Sequence, residues 1–229
     1  MLIAEDFLLL VTDDETGRLS TTGTQTDVAL GGALLVELTL SGHVGLADAG
    51  ERVREGGLVV RDNAPTGDLL LDEALSQVAG KEGKKPESVV VTLGKGTRAR
   101  LYDRLVERRL VRTEEGRILG LFPRHRWPAT DGGHEADVRD MLVTSLRTGV
   151  AADARTGALI SLLLALGTVH KVVDPDSLGL SRRELDSRAQ QIAESEWAGS
   201  AVRSAIRALN AAITAAITAV VITGASGGS

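Results

Sequence analysis

Three stretches of the chain hold residues whose types could do chemistry. The first is Gly94-Lys95-Gly96-Thr97. A nucleotide-binding P-loop requires a glycine, four residues, then Gly-Lys-Ser/Thr. Val89 stands where the first glycine belongs and Gly96 where the hydroxyl belongs, so no such loop is expected. The second is the histidine set, His43, His125, His134 and His170. None pairs with another histidine or a carboxylate at helical metal spacing. His134-Glu135 falls in a loop-like stretch and is expected to be solvated. Acid pairs such as Asp72-Glu73 sit at a helix start, where the dipole accounts for them. There is no G-x-S-x-G elbow and no cysteine, which removes disulfides, thiolate metal sites and cysteine nucleophiles and suits a reducing cytosol. No catalytic residue, metal or cofactor is assigned, and the chain reads as non-enzymatic.

The third stretch is basic. Lys95 to Arg126 carries ten Lys or Arg against four acids, within a chain of formal net charge −5. Arg100, Arg104 and Arg108 recur every four residues, one face of a helix expected over Thr97 to Leu110. Leu101, Tyr102, Leu105 and Val106 form the opposite side. Followed by a hairpin, this could be a winged-helix-like reader of nucleic-acid phosphates. Asp103 and Glu107 interleave the arginines, the pI is about 5.5, and aromatics at 2% offer no stacking platform. Nucleic acid is therefore the disfavoured partner. An anionic lipid surface and a plain solvated face remain.

The elements that must position these residues are mostly helical. With so few aromatics the core has to be aliphatic. Helices are expected at Ile3 to Val11, Asp27 to Leu40, Asp68 onward, Thr97 to Leu110, Ala136 to Arg147, Ala154 to Val169 and Ser181 to Trp197. Asp68 is the expected cap of its helix. Gly31 and Gly32 inside the second helix cost roughly 1 kcal/mol each, which implies close packing against them. His43 to Ala47 and Leu58 to Arg61 read as short extended pieces. The triple valine of PESVVVTLGKG suits a strand, yet Pro86 suits the first residue of a helix. VRTEEGRILGLF reads as a hairpin turning at Glu115-Gly116, and Pro123 and Pro128 flank the basic stretch RHRW. After Ala208 no charged side chain appears, but Ile206, Leu209, Ile213, Ile217 and Val220 make a single helical stripe, the mark of a core helix. The fold class expected is mainly α: one domain of packed amphipathic helices with short β-hairpins over 1–223, and a disordered tail at 224–229.

Five segments together resemble the Golgi phosphoprotein 3 family, including its bacterial, actinobacterial-type branch. They are IAEDFLLL with DDETGRL, ALGGALLVELTLSGHV, APTGDLLLDEAL, LVERRLVRTEEGRILGLFPRHRWP and ALISLLLALGTV, in the family's order over nearly the whole chain. The PTGD-x-LLDEAL match is the most specific. The resemblance implies a single mainly helical domain, a helix at the triple valine and a core role for the last helix. It also implies a cytoplasmic protein, peripheral on membranes, whose partners are anionic phospholipid or phosphoinositide headgroups. Eukaryotic members bind phosphatidylinositol 4-phosphate through a basic pocket near a tryptophan and act as adaptors for glycosyltransferases. In this chain the tryptophan position falls near Thr22 and one pocket arginine at Gly31. Two more fall near Ala151 and Ala154, where only the neighbouring Arg155 keeps a guanidinium. The headgroup candidates are thus Arg155, Arg147 and Arg18, in a pocket stripped of most of its charge. The family's self-association and membrane hairpin corresponds to His170 to Ser181, with Leu178 and Leu180 as candidates for insertion or for a homo-oligomer contact.

Overall fold

The computed structural model describes residues 1–118, 122–130, 132–195 and 200–226. Its centre is α2 (Gly23–Leu40), whose VALGGALLVELTL run is apolar on every side rather than on one stripe. A helix of that kind must be surrounded. It is packed by α1 (Ile3–Leu10), α3 (Leu69–Ala79), α4 (Pro86–Gly94), α5 (Thr97–Glu107), α7 (Ala154–Ala165) and α10 (Ser200–Ser226). The two glycines set how close the neighbours come. A Cβ on Gly31 would lie 2.0 Å from the Val90 carbonyl oxygen, and one on Gly32 would lie 2.5 Å from Ile213 Cδ1. On α4, a Cβ on Gly94 would lie 2.0 Å from the Asp27 carbonyl oxygen. Close packing is what the interior glycines serve.

The triple valine is helical, with Pro86 at the start of α4 and Val89 and Val90 buried. Two small antiparallel pairs complete the fold. One joins β1 (Val44–Leu46) to β2 (Leu58–Val60). The other joins β3 (Glu114–Ile118) to β4 (Phe122–Arg126). The second corrects an expectation. Gly116 lies within a strand, opposite Arg124, and Ile118 faces Phe122. The hairpin therefore does not turn at Glu115-Gly116, and the residues joining its strands, 119–121, lie outside the described residues.

The stretch His170 to Ser181 contains no strand pair. The short α8 (Val169–Val172) is followed by a 3-10 turn at Asp176–Leu178, before α9 (Arg182–Glu194). Ser181 and Glu184 close a reciprocal capping box there. Leu178 and Leu180 are partly buried against the domain's own core.

At the C-terminus, Ile206, Leu209, Ile213 and Ile217 enter the core, as their spacing predicts. Ile206–Thr223 is long and apolar enough to cross a membrane by length and composition, yet Ile206, Leu209, Ile213 and Ile217 are spent on the core that α10 shares with α2, α4 and α7. The helix runs on to Ser226, past the expected boundary at 223, and 227–229 lie outside the described residues.

α6 (Gly133–Thr148) starts earlier than the sequence suggests, and this changes His134 and Glu135. His134 Nε2 lies 2.8 Å from Asp6 Oδ1. Glu135 is buried, paired with Arg139 and set beside the Asp14 carboxyl. Burial first, and the Asp14 charge second, push its pKa up to about 7. The folded state then holds a proton that the unfolded state releases near 4.5. Stability should therefore be full below about pH 4.5 with respect to this group and fall as pH rises toward 7. Glu135→Gln should remove that fall and raise stability at pH 8 by about 1–2 kcal/mol, read from urea midpoints at pH 5 and pH 8. Parallel losses in both proteins would overturn this assignment.

Candidate functional site

The basic segment is ordered by α1 and α3. Arg100 donates to both Glu73 oxygens at 2.6 and 2.9 Å. Arg104 donates to both Asp68 oxygens at 2.9 and 2.6 Å and from Nε to Glu5 at 3.0 Å. Arg108 reaches Glu5 at 3.4 Å. The stripe thus faces protein carboxylates rather than a phosphate. The same contacts explain APTGDLLLDEAL. Asp68 caps α3 by accepting from Leu70 N at 2.9 Å while it grips Arg104. Thr66 donates to Asp72 from both its amide and its hydroxyl. Arg104 is the main reason the Asp68 carboxyl is held below its usual range.

Arg155 is similarly engaged. It donates to Asp6 from Nε at 3.0 Å and Nη2 at 2.9 Å, to Glu37 at 3.1 Å, and to the Met1 carbonyl at 2.5 Å. Asp6 is 3% exposed and Glu37 17%, so this guanidinium is built into the wall between α1, α2 and α7. Glu37 and Thr22 are fifteen residues apart on α2, about 22 Å of helix. The Arg155 end and the Thr22 end are two separate places, and the three predicted arginines do not converge at either. Arg147 is exposed in the last turn of α6. Arg18 is exposed beside Leu19, which pairs with Thr12.

At the Thr22 end lies a guanidinium that sequence reasoning passed over. Thr22 caps α2 by accepting from Gln25 N. Against the next residue sits Arg98 of α5, so close that a Cβ on Gly23 would be 2.4 Å from its Nη1. Arg98 is held by a 3.3 Å contact from Nε to Asp27; among the described residues its terminal nitrogens make no hydrogen bond. It opens into a cavity of about 330 Å³ that Leu19, Asp27, Gly96, Tyr102 and Trp127 also line. Tyr102 and Trp127 stack with ring centroids 3.9 Å apart and planes 5° from parallel. Tyr102 is anchored below by its hydroxyl, 2.8 Å from Thr12 Oγ1. Trp127 is fixed by its amide, which donates to the Gly17 carbonyl at 3.2 Å. Burial raises the Asp27 carboxyl above its ordinary value, and Arg98 opposes that rise. The signal for Arg98 was present in the spacing. It lies two residues, about 200°, from Arg100, and so faces away from the Arg100–Arg104–Arg108 stripe.

A guanidinium laid on a helix N-terminus is electrostatically ill-placed without an anion nearby, because both are positive. Asp27 answers part of that charge. The planar fork of terminal nitrogens suits a phosphate or carboxylate, and the aromatic pair gives the cavity an apolar wall.

The fold and these segments define the class. The family described as Golgi phosphoprotein 3 (GPP34) matches residues 3–209, and the chain belongs to it. A curated relative is the vacuolar protein sorting-associated protein 74 of Eremothecium gossypii, 36% identical over 86 residues. That match takes in 36% of this chain and 26% of the relative, so this chain corresponds to about a quarter of that protein's length.

Proposed function

We propose that this chain is a non-catalytic peripheral membrane protein that engages phosphoinositide headgroups, phosphatidylinositol 4-phosphate among them, through the Arg98 cavity. One observation carries the reading. Among the described residues, Arg98 presents unbonded fork nitrogens at the α2 N-terminus, in an open cavity walled by Trp127. Family membership supports it. Arg18 and Lys95, next in sequence to the lining residues Leu19 and Gly96, add positive charge to the region. Arg147 adds attraction to an anionic surface, while Arg155 holds α1 in place. Asp27 competes with the headgroup for Arg98, so the affinity is modest and salt-sensitive.

Vesicle flotation at low salt tests this. The chain should float with phosphatidylcholine vesicles carrying phosphatidylinositol 4-phosphate, less with phosphatidylinositol, and not with phosphatidylcholine alone. Recovery should fall as salt rises. Arg98→Ala should lower it about tenfold, the loss of one charge-assisted contact, and Arg98→Lys should restore it only in part because the fork is gone. Absence of flotation, or equal flotation of Arg98→Ala, would refute the proposal.

A further inference from the structure

The outer face of α10 has no assigned role. At 100° per residue, Arg207, Ala211, Thr214, Ala215, Thr218 and Ile222 fall within an arc of about 100°, opposite the core residues Ile206, Leu209, Ile213 and Ile217. All six are exposed. From Ala208 to the end of the chain there is no charged residue. A solvated helix face normally carries charge, as α9 does with Arg182, Arg183 and Asp186. This stretch lies almost wholly beyond the family match, which ends at Leu209.

The face has two complementary features. Near its start is a groove of about 730 Å³ between α7, α9 and α10, walled by Leu164, Ala165, Ala193, Ala211 and Ala215 and edged by Glu194 and Arg207. Asn210 Nδ2 is buried beside it and has no hydrogen-bond partner among the described residues, a donor that an occupant could satisfy. Near its end is an apolar knob: Val221 is 50% exposed and Ile222 64%. Groove and knob lie on one helix face, eleven residues from Ala211 to Ile222, about 16 Å.

We infer that α10 is a self-association surface, and that its occupant is the α10 of a second copy packed antiparallel about a two-fold axis. In that arrangement each contact occurs twice. With the axis between Thr214 and Ala215, Thr218 meets the partner copy's position 211, and Ile222 enters the groove beside position 207. Alanines and threonines let the helices approach closely, since interaxial distance is set by the side chains at the contact. Each Arg207 comes to lie near the other helix's C-terminal end, where a cation is favoured. A bilayer fits the face poorly: Ala and Thr gain little from hydrocarbon, and the charged Arg207 and Glu194 would be carried toward it.

Sedimentation of the full chain tests the inference. A concentration-dependent dimer is expected, weakened about 100-fold or more by Ala215→Glu, which sets like charges together across the axis, or by Thr218→Glu, which buries an unpaired carboxylate against the partner copy's position 211. Both positions are exposed, so the monomer's melting curve should not change. The chain has no cysteine, so single cysteines report geometry directly. Thr214→Cys should yield a disulfide dimer on mild oxidation, and Ser177→Cys, exposed in the 3-10 turn, should not. A monomer at all concentrations, a dimer indifferent to Thr218→Glu, cross-linking through position 177 instead, or association only on vesicles would each overturn it.

Discussion

Gly31→Arg is expected to leave no folded protein, and Gly31→Ala to cost about 3 kcal/mol or more. The Cβ that either substitution adds would sit 2.0 Å from the Val90 carbonyl oxygen and 2.7 Å from the Gly94 amide nitrogen. Both obstacles are backbone, so no rotamer relieves the clash; α4 must move as a body. It cannot move far, because Gly94 is itself pressed on the Asp27 carbonyl. An arginine adds a long charged side chain at the buried crossing of α2 and α4. Gly132→Ala is the control. That glycine has nothing within 4 Å of its Cβ position and φ −86°, so its substitution should stay within about 0.5 kcal/mol of the starting protein. Urea unfolding followed by circular dichroism separates the two. A Gly31→Ala protein as stable as Gly132→Ala would mean that α2 and α4 are not packed through these glycines. The result also bears on function. Gly31, which the resemblance places at a pocket position, is a helix crossing in this chain, and the proposed headgroup site rests on Arg98.

Glu5→Ala should destabilise the chain by about 3–5 kcal/mol, the range for removing one partner of a buried ion pair. Glu5 is fully buried. It accepts from the Leu2 amide at 2.6 Å and Arg104 Nε at 3.0 Å, with Arg108 at 3.4 Å. Its loss strands Arg104, whose side chain is only 23% exposed, and unties the first turn of α1. Asp68 still holds two Arg104 nitrogens, which is why the loss should not exceed that range. A double-mutant cycle with Arg104→Ala should return a coupling of about 1.5 kcal/mol or more. A single-mutant cost below about 1 kcal/mol would show that α1 is not pinned through this carboxylate.

What the sequence disclosed follows the reach of its signals. Asp68 as a helix cap, Gly31 and Gly32 as packing positions and the stripe from Ile206 to Ile217 are local patterns, and each is seen. The ion pairs are not local. Arg104 meets Glu5 across 99 residues and Arg155 meets Asp6 across 149. No spacing rule foretells such partners, so the contacts of Arg155 with Asp6 and Glu37 were not legible in the sequence. The β3–β4 turn differs from its expected place for another reason. Gly116 invites a turn locally, and only the cross-strand register, with Gly116 opposite Arg124, shows that it lies within a strand. His134 and Glu135 read as loop because Gly132 and Gly133 argue against a helix start; the Asp6 contact from α1 and the Arg139 pair overrule that local preference. For Arg98, the helical angle was legible, but the N-terminus of α2 that it meets was not.

The central claim is that an anionic headgroup occupies the Arg98 cavity against Trp127. The chain has two tryptophans, so a Trp197→Phe variant leaves Trp127 as the sole reporter. Titrated with a short-chain phosphatidylinositol 4-phosphate at low salt, its fluorescence should shift in a saturable way. Arg98→Ala in the same background should lose the shift, and added salt should weaken it. A flat titration, or an equal shift in the Arg98→Ala protein, would contradict the account.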